Sequence, residues 1–244
     1  MWRHCVSKIQ GQGAVTGIVG VLMLHQRQVR AWAELMSIHS VLRFAGSFAG
    51  LCALSGCLST EPTITEEPTF TEEVNGFVTE GVALDGRYNT TAASMPTTGT
   101  AAFTGQSGLG LTSAAGDDYL FIGDAAVLAD FQNGTMDGTL GSFRGVVEAG
   151  GVGPVSEAVD YGGTITLSNG AIGATQANDF DGDFDGTLTG AGNVIFVDGA
   201  FYGFFKGNPF QGIVGGSSAG GLVPPVGTIN GVAANNIFLD FWAK

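Results

Sequence analysis

Histidine and cysteine are both missing from the sequence between Leu58 and Lys244, because every histidine and cysteine of the chain lies at or before Cys57. Without them this long segment has no Ser-His-Asp triad, no Cys-His pair, no disulfide and no zinc site of the usual nitrogen or sulfur type. A hydrolase built on a pair of carboxylates stays formally open. We therefore predict a protein that is not an enzyme, with no catalytic residue and no cofactor.

Basic residues are also scarce beyond Cys57. Five of the nine Lys and Arg residues precede it, but only one of the 22 Asp and Glu residues does, so the remainder carries four basic and 21 acidic residues and a formal charge of −17. A charge of this sign repels nucleic-acid phosphates and anionic lipid headgroups. We therefore expect no nucleic-acid partner.

Apolar runs long enough to cross a membrane as a helix are lacking too. The run that begins at Phe44 is short, follows Arg43, and leads into Leu54-Ser55-Gly56-Cys57. This pattern resembles the lipobox of bacterial lipoproteins, in which a positive charge and a short apolar run precede a branched residue, two small residues and a cysteine. We predict cleavage before Cys57 and lipidation of that cysteine. The alternative is a short apolar helix with an ordinary buried cysteine.

This interpretation divides the chain into three parts. Residues 1–56 are an overextended start followed by a lipoprotein signal peptide, with Met36 as the expected true start. Residues 57–74 are the lipidated cysteine and a tether, because Leu58 to Glu73 alternates Thr, Glu and Pro with few apolar residues and cannot bury a core. Leu58, rather than an aspartate, follows the cysteine, which favours the outer membrane over retention in the inner one. Residues 75–244 form the folded domain.

Glycine is frequent in that domain, and short alternating runs replace helical periodicity. Each run has the length of a strand and is bounded by Gly, Asn, Asp or Ser. They are 98–105, 118–131, 134–141, 162–170, 193–205, 212–216 and 236–242. About eight strands in this length predict a single antiparallel all-β domain. Frequent glycine within strands favours a small, strongly coiled β-barrel.

The acidic run "DFDGDFDGTLTG" from Asp179 matches the first half of a calcium-binding EF-hand loop at Asp181, Asp183, Asp185 and Gly186. The second half fails, because Gly192 stands where a bidentate glutamate should close the coordination sphere. Neither flank of the run has apolar residues at helical spacing either. We expect no structural metal here; any calcium bound would be weak and peripheral.

A second copy of the pattern supports that expectation. Residues 129–141 and 178–190 share Asp-Phe, a turn, and an apolar residue followed by Asp-Gly-Thr-Leu, which suggests the same hairpin twice. Asp185 then corresponds to Asp137, which lies in a copy with no acidic cluster. In the second strand of each copy Met136 and Leu140, or Phe184 and Leu188, fall on one face.

These features together resemble the β-barrel domain of the transferrin-binding protein B family, surface lipoproteins of Gram-negative bacteria. The resemblance is carried by the lipobox at Cys57, by "LADFQNGTMDGTL" from Leu128, and by "DGAFYGFFKGNPFQGIVGG" from Asp198. It implies a single barrel at the cell surface that captures an extracellular protein or an iron-bearing ligand. An outer-membrane receptor or a surface-lipoprotein translocator is then an implied partner, and the lipid anchor attaches the protein to the membrane.

The most aromatic local cluster supplies the candidate ligand-binding residues, Tyr202, Phe204 and Phe205. Tyrosine sometimes holds haem iron, which makes Tyr202 a formal candidate for that role. Ordinary barrel packing is the competing explanation, since alternation buries Phe201 and Gly203 and exposes their neighbours.

Two other functions remain open. One is a passive envelope or adhesion lipoprotein with no soluble ligand. The other is a barrel embedded in the outer membrane, suggested by the aromatic "FLDFW" near the C-terminus. Against the latter, glycine-broken strands give no clear alternation on a lipid-facing surface and no paired aromatic girdles.

Overall fold

A computed structural model of the protein describes residues 68–151, 155–173, 175–217 and 224–244. It has one α-helix and ten β-strands in the described residues. The helix α1 spans Phe70–Asp85. The first five strands are β1 Thr100–Thr112, β2 Asp118–Asp130, β3 Thr135–Glu148, β4 Val159–Ile172 and β5 Asp179–Gly190. The others are β6 Asn193–Lys206, β7 Gly212–Gly216, β8 Val226–Ile229, β9 Val232–Ala233 and β10 Asn235–Ala243.

The strands form a closed antiparallel barrel of eight strands, as the alternating runs predicted. Each of β1 to β6 pairs with the next strand along the chain, and β10 pairs with β1 to close the circle through β7. The short strand β7, which also pairs with β10, covers just the second half of β6, from Tyr202 to Lys206. Beside the first half of β6 lies β8, which in turn pairs with β9. The edge of β6 that does not pair with β5 is therefore shared by two strands, β7 and β8.

Strand alternation fills the barrel interior with apolar side chains. One continuous cluster of buried residues contains inward side chains from all eight barrel strands. Phe180, Phe184, Phe201, Phe205 and Phe241 are among the largest side chains that are fully buried. The Phe180 ring lies within contact distance of three of the others, Phe201, Phe205 and Phe241. Burying so many phenylalanines removes a large apolar surface from water and holds the barrel closed.

Helix α1 was not expected, and it changes the boundary predicted between tether and barrel. The last residues of the predicted tether and the first residues of the predicted barrel form one helix, and residues 57–67 lie outside the described part of the chain. The helix begins at a capping box, in which the Thr69 hydroxyl accepts the Glu72 N–H and the Glu72 carboxylate accepts the Thr69 N–H. No described helix has the length and apolar character needed to cross a membrane.

Two glycines let α1 pack closely on the outside of the barrel, where it contacts β1, β2, β7 and β10. A Cβ at Gly108 on β1 would lie 3.0 Å from the Phe77 ring, and one at Gly81 would lie 3.0 Å from the Trp242 ring. The Trp242 indole N–H donates to the Phe77 carbonyl at 3.0 Å. Val74, Phe77 and Leu84 are buried beneath the helix. The helix is thus an integral layer of the domain.

The two copies of the acidic repeat do not have the same structure. In the first, Asp130 accepts the N–H groups of Gln132 and Asn133 and turns the chain from β2 into β3. In the second, Asp179 to Gly190 runs straight through β5 without a turn. The second copy lacks the Asn-Gly pair that permits a tight turn, so its alternating residues stay in the pleat. The predicted inward faces are confirmed, since Met136, Leu140, Phe184 and Leu188 are all buried in the core cluster.

Candidate functional site

The three predicted ligand-binding residues lie on β6, but they do not share a face. Phe205 points into the barrel, is fully buried, and packs against Phe103, Phe131 and Phe180. Tyr202 and Phe204 point outwards, are partly exposed, and meet edge to face with ring centroids 5.1 Å apart. Lys206 follows on the same face, with its ammonium 5.6 Å from the centre of the Phe204 ring.

Tyr202 is tied to a buried carboxylate. Its hydroxyl donates to Asp179 at 3.1 Å, and the same carboxylate accepts the Gln176 N–H at 2.9 Å. Burial, reinforced by the hydrogen bond to Asp179 and by the negative charges of Asp179 and Asp181, raises the pKa of Tyr202 to about 12. A tyrosine binds iron as the phenolate, so a pKa this high and a committed hydroxyl both disfavour Tyr202 as a haem ligand.

The aspartates of the calcium-like motif lie along one strand. Asp181, Asp183 and Asp185 alternate with the inward residues of β5, so all three project from the outer face. Neighbours of this kind are about 6.6 Å apart along a strand, whereas an EF-hand loop curls its ligands around one ion. In the described parts of the chain, no group of three or more His, Cys, Asp or Glu side chains is arranged to hold a metal ion.

A shallow groove of about 580 Å³ lies on the outer surface beside these aspartates. Asp183 and Asp185 line one side, Asp198 follows on β6, and Val226 of β8 lies on the other side. Asp185 is directly opposite Asp198, and Asp198 is directly opposite Val226, so the three positions form a row across neighbouring strands. Phe196, two residues before Asp198 on β6, is exposed on the same face.

Basic side chains lie elsewhere. The four described Lys and Arg residues each have a polar partner, and three of them pair with carboxylates of α1. Arg144 pairs with Glu73 at 3.0 Å, Lys206 with Asp85 at 2.8 Å, and Lys244 with Glu80. The fourth, Arg87, donates to Gln211. Among the described residues, no basic side chain therefore pairs with the aspartates of β5.

Sequence reasoning missed part of this surface. The alternation in "NVIFVD" did predict a strand, and it places Val194, Phe196 and Asp198 on one face. It did not reveal that β8 pairs beside them, because Val226–Ile229 is only four residues long. The short apolar stretch before Asn230-Gly231 was the available signal for a hairpin there. Cys57, the predicted lipidation site, lies outside the described residues.

Comparison with known proteins gives one distant likeness. No family model and no curated protein matches this sequence. A solved structure of intact Ap-TbpB (N and C lobes) is similar over 64% of this chain and 28% of that chain, with 16% identity and a TM-score of 0.36. The chain thus spans less than a third of that protein's length. The likeness is a distant relationship in fold.

Proposed function

We propose that the protein is a lipid-anchored lipoprotein of the outer membrane that captures an extracellular protein or iron-bearing ligand without catalysing a reaction. Cys57 is the lipidated residue, a tether follows it, and the barrel with α1 is the binding domain. An outer-membrane receptor or a lipoprotein translocator is a candidate partner.

The observation that carries this proposal is the contrast between the two sides of the barrel wall. The interior is filled by a continuous cluster of buried side chains, including seven fully buried phenylalanines. A small barrel filled in this way has no need of an internal ligand. In the described residues the outer surface carries exposed aspartates on β5 and β6, so a ligand is expected to bind there.

The chemistry of the chain agrees with binding rather than catalysis. No histidine or cysteine follows Cys57. The partly buried tyrosine Tyr202 keeps its proton over the physiological range, because its pKa is raised to about 12. Neither histidine, cysteine nor Tyr202 therefore provides a group after Cys57 that transfers protons near neutral pH.

Capture is tested with the full chain immobilised through its C-terminus and exposed to the growth medium in which the organism lives, with haem titrated separately. We expect one protein or iron-bearing species to be retained in stoichiometric amount and released by salt. Mass spectrometry of the cell envelope should also find a lipid-modified N-terminus at Cys57. Retention no greater than that of a heat-unfolded sample would contradict capture and leave a passive envelope role.

A further inference from the structure

We propose that the outer face defined by Asp183, Asp185, Phe196, Asp198 and Val226, here called the β5–β6–β8 face, docks a protein surface in which lysine or arginine side chains surround an apolar centre. This inference rests on the capture function proposed above and adds the place and the chemistry of the contact.

The face lies on a part of the barrel wall that α1 leaves open. The main contacts of the helix are with β1, β2, β7 and β10. On β6 its ion pair is with Lys206, at the opposite end of that strand from Phe196 and Asp198. The pairing of β5 with β6, and of β6 with β8, brings the five residues of the face to neighbouring positions. The groove between them is lined by Asp183, Asp185, Asp198 and Val226. Among the described residues, these side chains are exposed to an approaching partner.

Two carboxylates on this face repel each other. Asp185 and Asp198 are directly opposite on adjacent antiparallel strands, and both side chains are exposed. Like charges in this arrangement lower the stability of a sheet. In the described residues neither side chain has a hydrogen bond or an ion pair, whereas Asp183 accepts only the Asn169 amide, at 3.0 Å. A cationic partner would relieve this repulsion.

None of the described residues supplies a cation to this face. Three of its four described basic residues are held by carboxylates of α1, and the fourth by Gln211. The negative potential here is consequently available to an incoming surface. It also excludes anionic partners, namely nucleic acids and acidic lipid headgroups.

The face is not purely polar, which distinguishes a protein partner from a small cation. Val226 is 60% exposed, Val194 is 49% exposed and Phe196 is 39% exposed. Exposed apolar side chains bordered by charged ones are typical of a protein interface, in which the apolar centre is buried and the charges lie at the rim. The complementary surface has an apolar centre and a basic rim.

Cytochrome c is a suitable probe, because its lysines surround an exposed apolar haem edge, and its lysine-acetylated form is a matched neutral control. We would measure binding to the purified full chain by calorimetry at low ionic strength. The wild-type chain should bind cytochrome c, with affinity falling as salt rises, and should bind the acetylated form at least about tenfold more weakly.

Two triple variants with the same change in net charge test the location. Asp183→Asn, Asp185→Asn and Asp198→Asn together should weaken binding about tenfold, whereas Asp124→Asn, Glu148→Gln and Glu157→Gln together should change it less than about twofold. Phe196→Ser should also weaken binding, and Leu128→Ser should not, although Leu128 on β2 is the more exposed of the two apolar residues. Melting temperatures of all variants show that each is folded.

Equal weakening by both triple variants would mean that only overall charge matters, and would overturn the inference. So would a wild-type chain that does not bind cytochrome c. The capture function is judged separately with growth medium. If the wild-type chain and the Asp183, Asp185 and Asp198 triple variant retain the same medium protein equally well, capture stands and the β5–β6–β8 face is refuted.

Discussion

Phe204 and Phe205 are adjacent residues of the same type, and both were predicted to bind a ligand, but their environments are opposite. Phe205 lies in the packed interior and touches four other phenylalanines, whereas Phe204 lies outside against Tyr202. Of the predicted ligand-binding residues, only Tyr202 and Phe204 are therefore placed to meet a partner without unfolding of the barrel.

The first prediction is that Phe205→Ala destabilises the domain far more than Phe204→Ala. Removing the buried ring leaves a cavity and should cost about 3–5 kcal/mol of unfolding free energy. Removing the outer ring should cost less than about 1 kcal/mol. Urea denaturation of both variants measures the difference. Similar losses for the two would contradict the assignment of faces on β6.

The second prediction concerns the ionisation of Tyr202. Burial and Asp179 raise its pKa to about 12, above the value of an unfolded tyrosine. The stabilisation linked to this residue is therefore complete below about pH 10 and is lost as the pH rises towards 12. Ultraviolet titration of the folded protein should show a tyrosine ionising near pH 12, and Tyr202→Phe should remove that step. An unchanged titration curve in Tyr202→Phe would be the contrary result.

The third prediction is that the acidic strand holds no structural calcium. Asp181 and Asp183 follow one another along a straight strand, and the position that should close the coordination sphere is Gly192. Asp181→Asn with Asp183→Asn should leave the melting temperature almost unchanged, in calcium or in chelator. A chelator-dependent loss of several degrees, absent from the double variant, would restore the calcium interpretation, because binding to the native state raises stability.

Among the elements, most of the long strands were predictable, whereas β5 as one straight strand, the short β8 and the helix were not. Alternation of apolar and polar residues identifies the long strands directly, because one side of each faces a packed interior. Helix α1 follows a stretch rich in Thr, Glu and Pro, and Gly76 and Gly81 interrupt its sequence. The Thr69-x-x-Glu72 capping box, followed by Phe70, Val74 and Phe77 at helical spacing, was the signal that this composition obscured.

The candidate face was predictable only in part. Sequence alternation places the aspartates of β5 on one side, but it does not say which strand lies next to β6. Pairing with β8 brings Val226 beside Asp198, and that contact depends on a four-residue strand far along the chain. The location of the basic residues against α1 could not be foreseen either, because the helix itself was missed.

The fourth prediction is that the folded domain needs the whole of α1. A chain beginning at Asn75 loses the capping box, the buried side chain of Val74 and the Glu73–Arg144 ion pair. The cap and the apolar burial together should account for about 2–4 kcal/mol. A chain beginning at Thr69 should melt at the temperature of the full chain, and one beginning at Asn75 about 5–15 °C lower. Equal melting temperatures for the two shortened chains would show that the capping box and the first turn of α1 add no stability.

At the scale of the whole molecule, charge and anchoring act together. Three of the four described basic residues pair with carboxylates of α1, and among the described residues none lies beside the aspartates of the β5–β6–β8 face. A lipid at Cys57 and a tether of low apolar content would hold this domain at a distance from the membrane. This arrangement serves capture only if the barrel lies outside the cell.

The fifth prediction tests that requirement directly. Intact cells are treated with an external protease, and cleavage between Leu58 and Pro68 is compared with cleavage in lysed cells. The barrel should resist proteolysis because its backbone is hydrogen-bonded in a closed sheet. We predict that intact cells release a fragment containing the domain from Thr69 to Lys244. A tether that is cut only after lysis would place the domain inside the envelope and contradict capture at the cell surface.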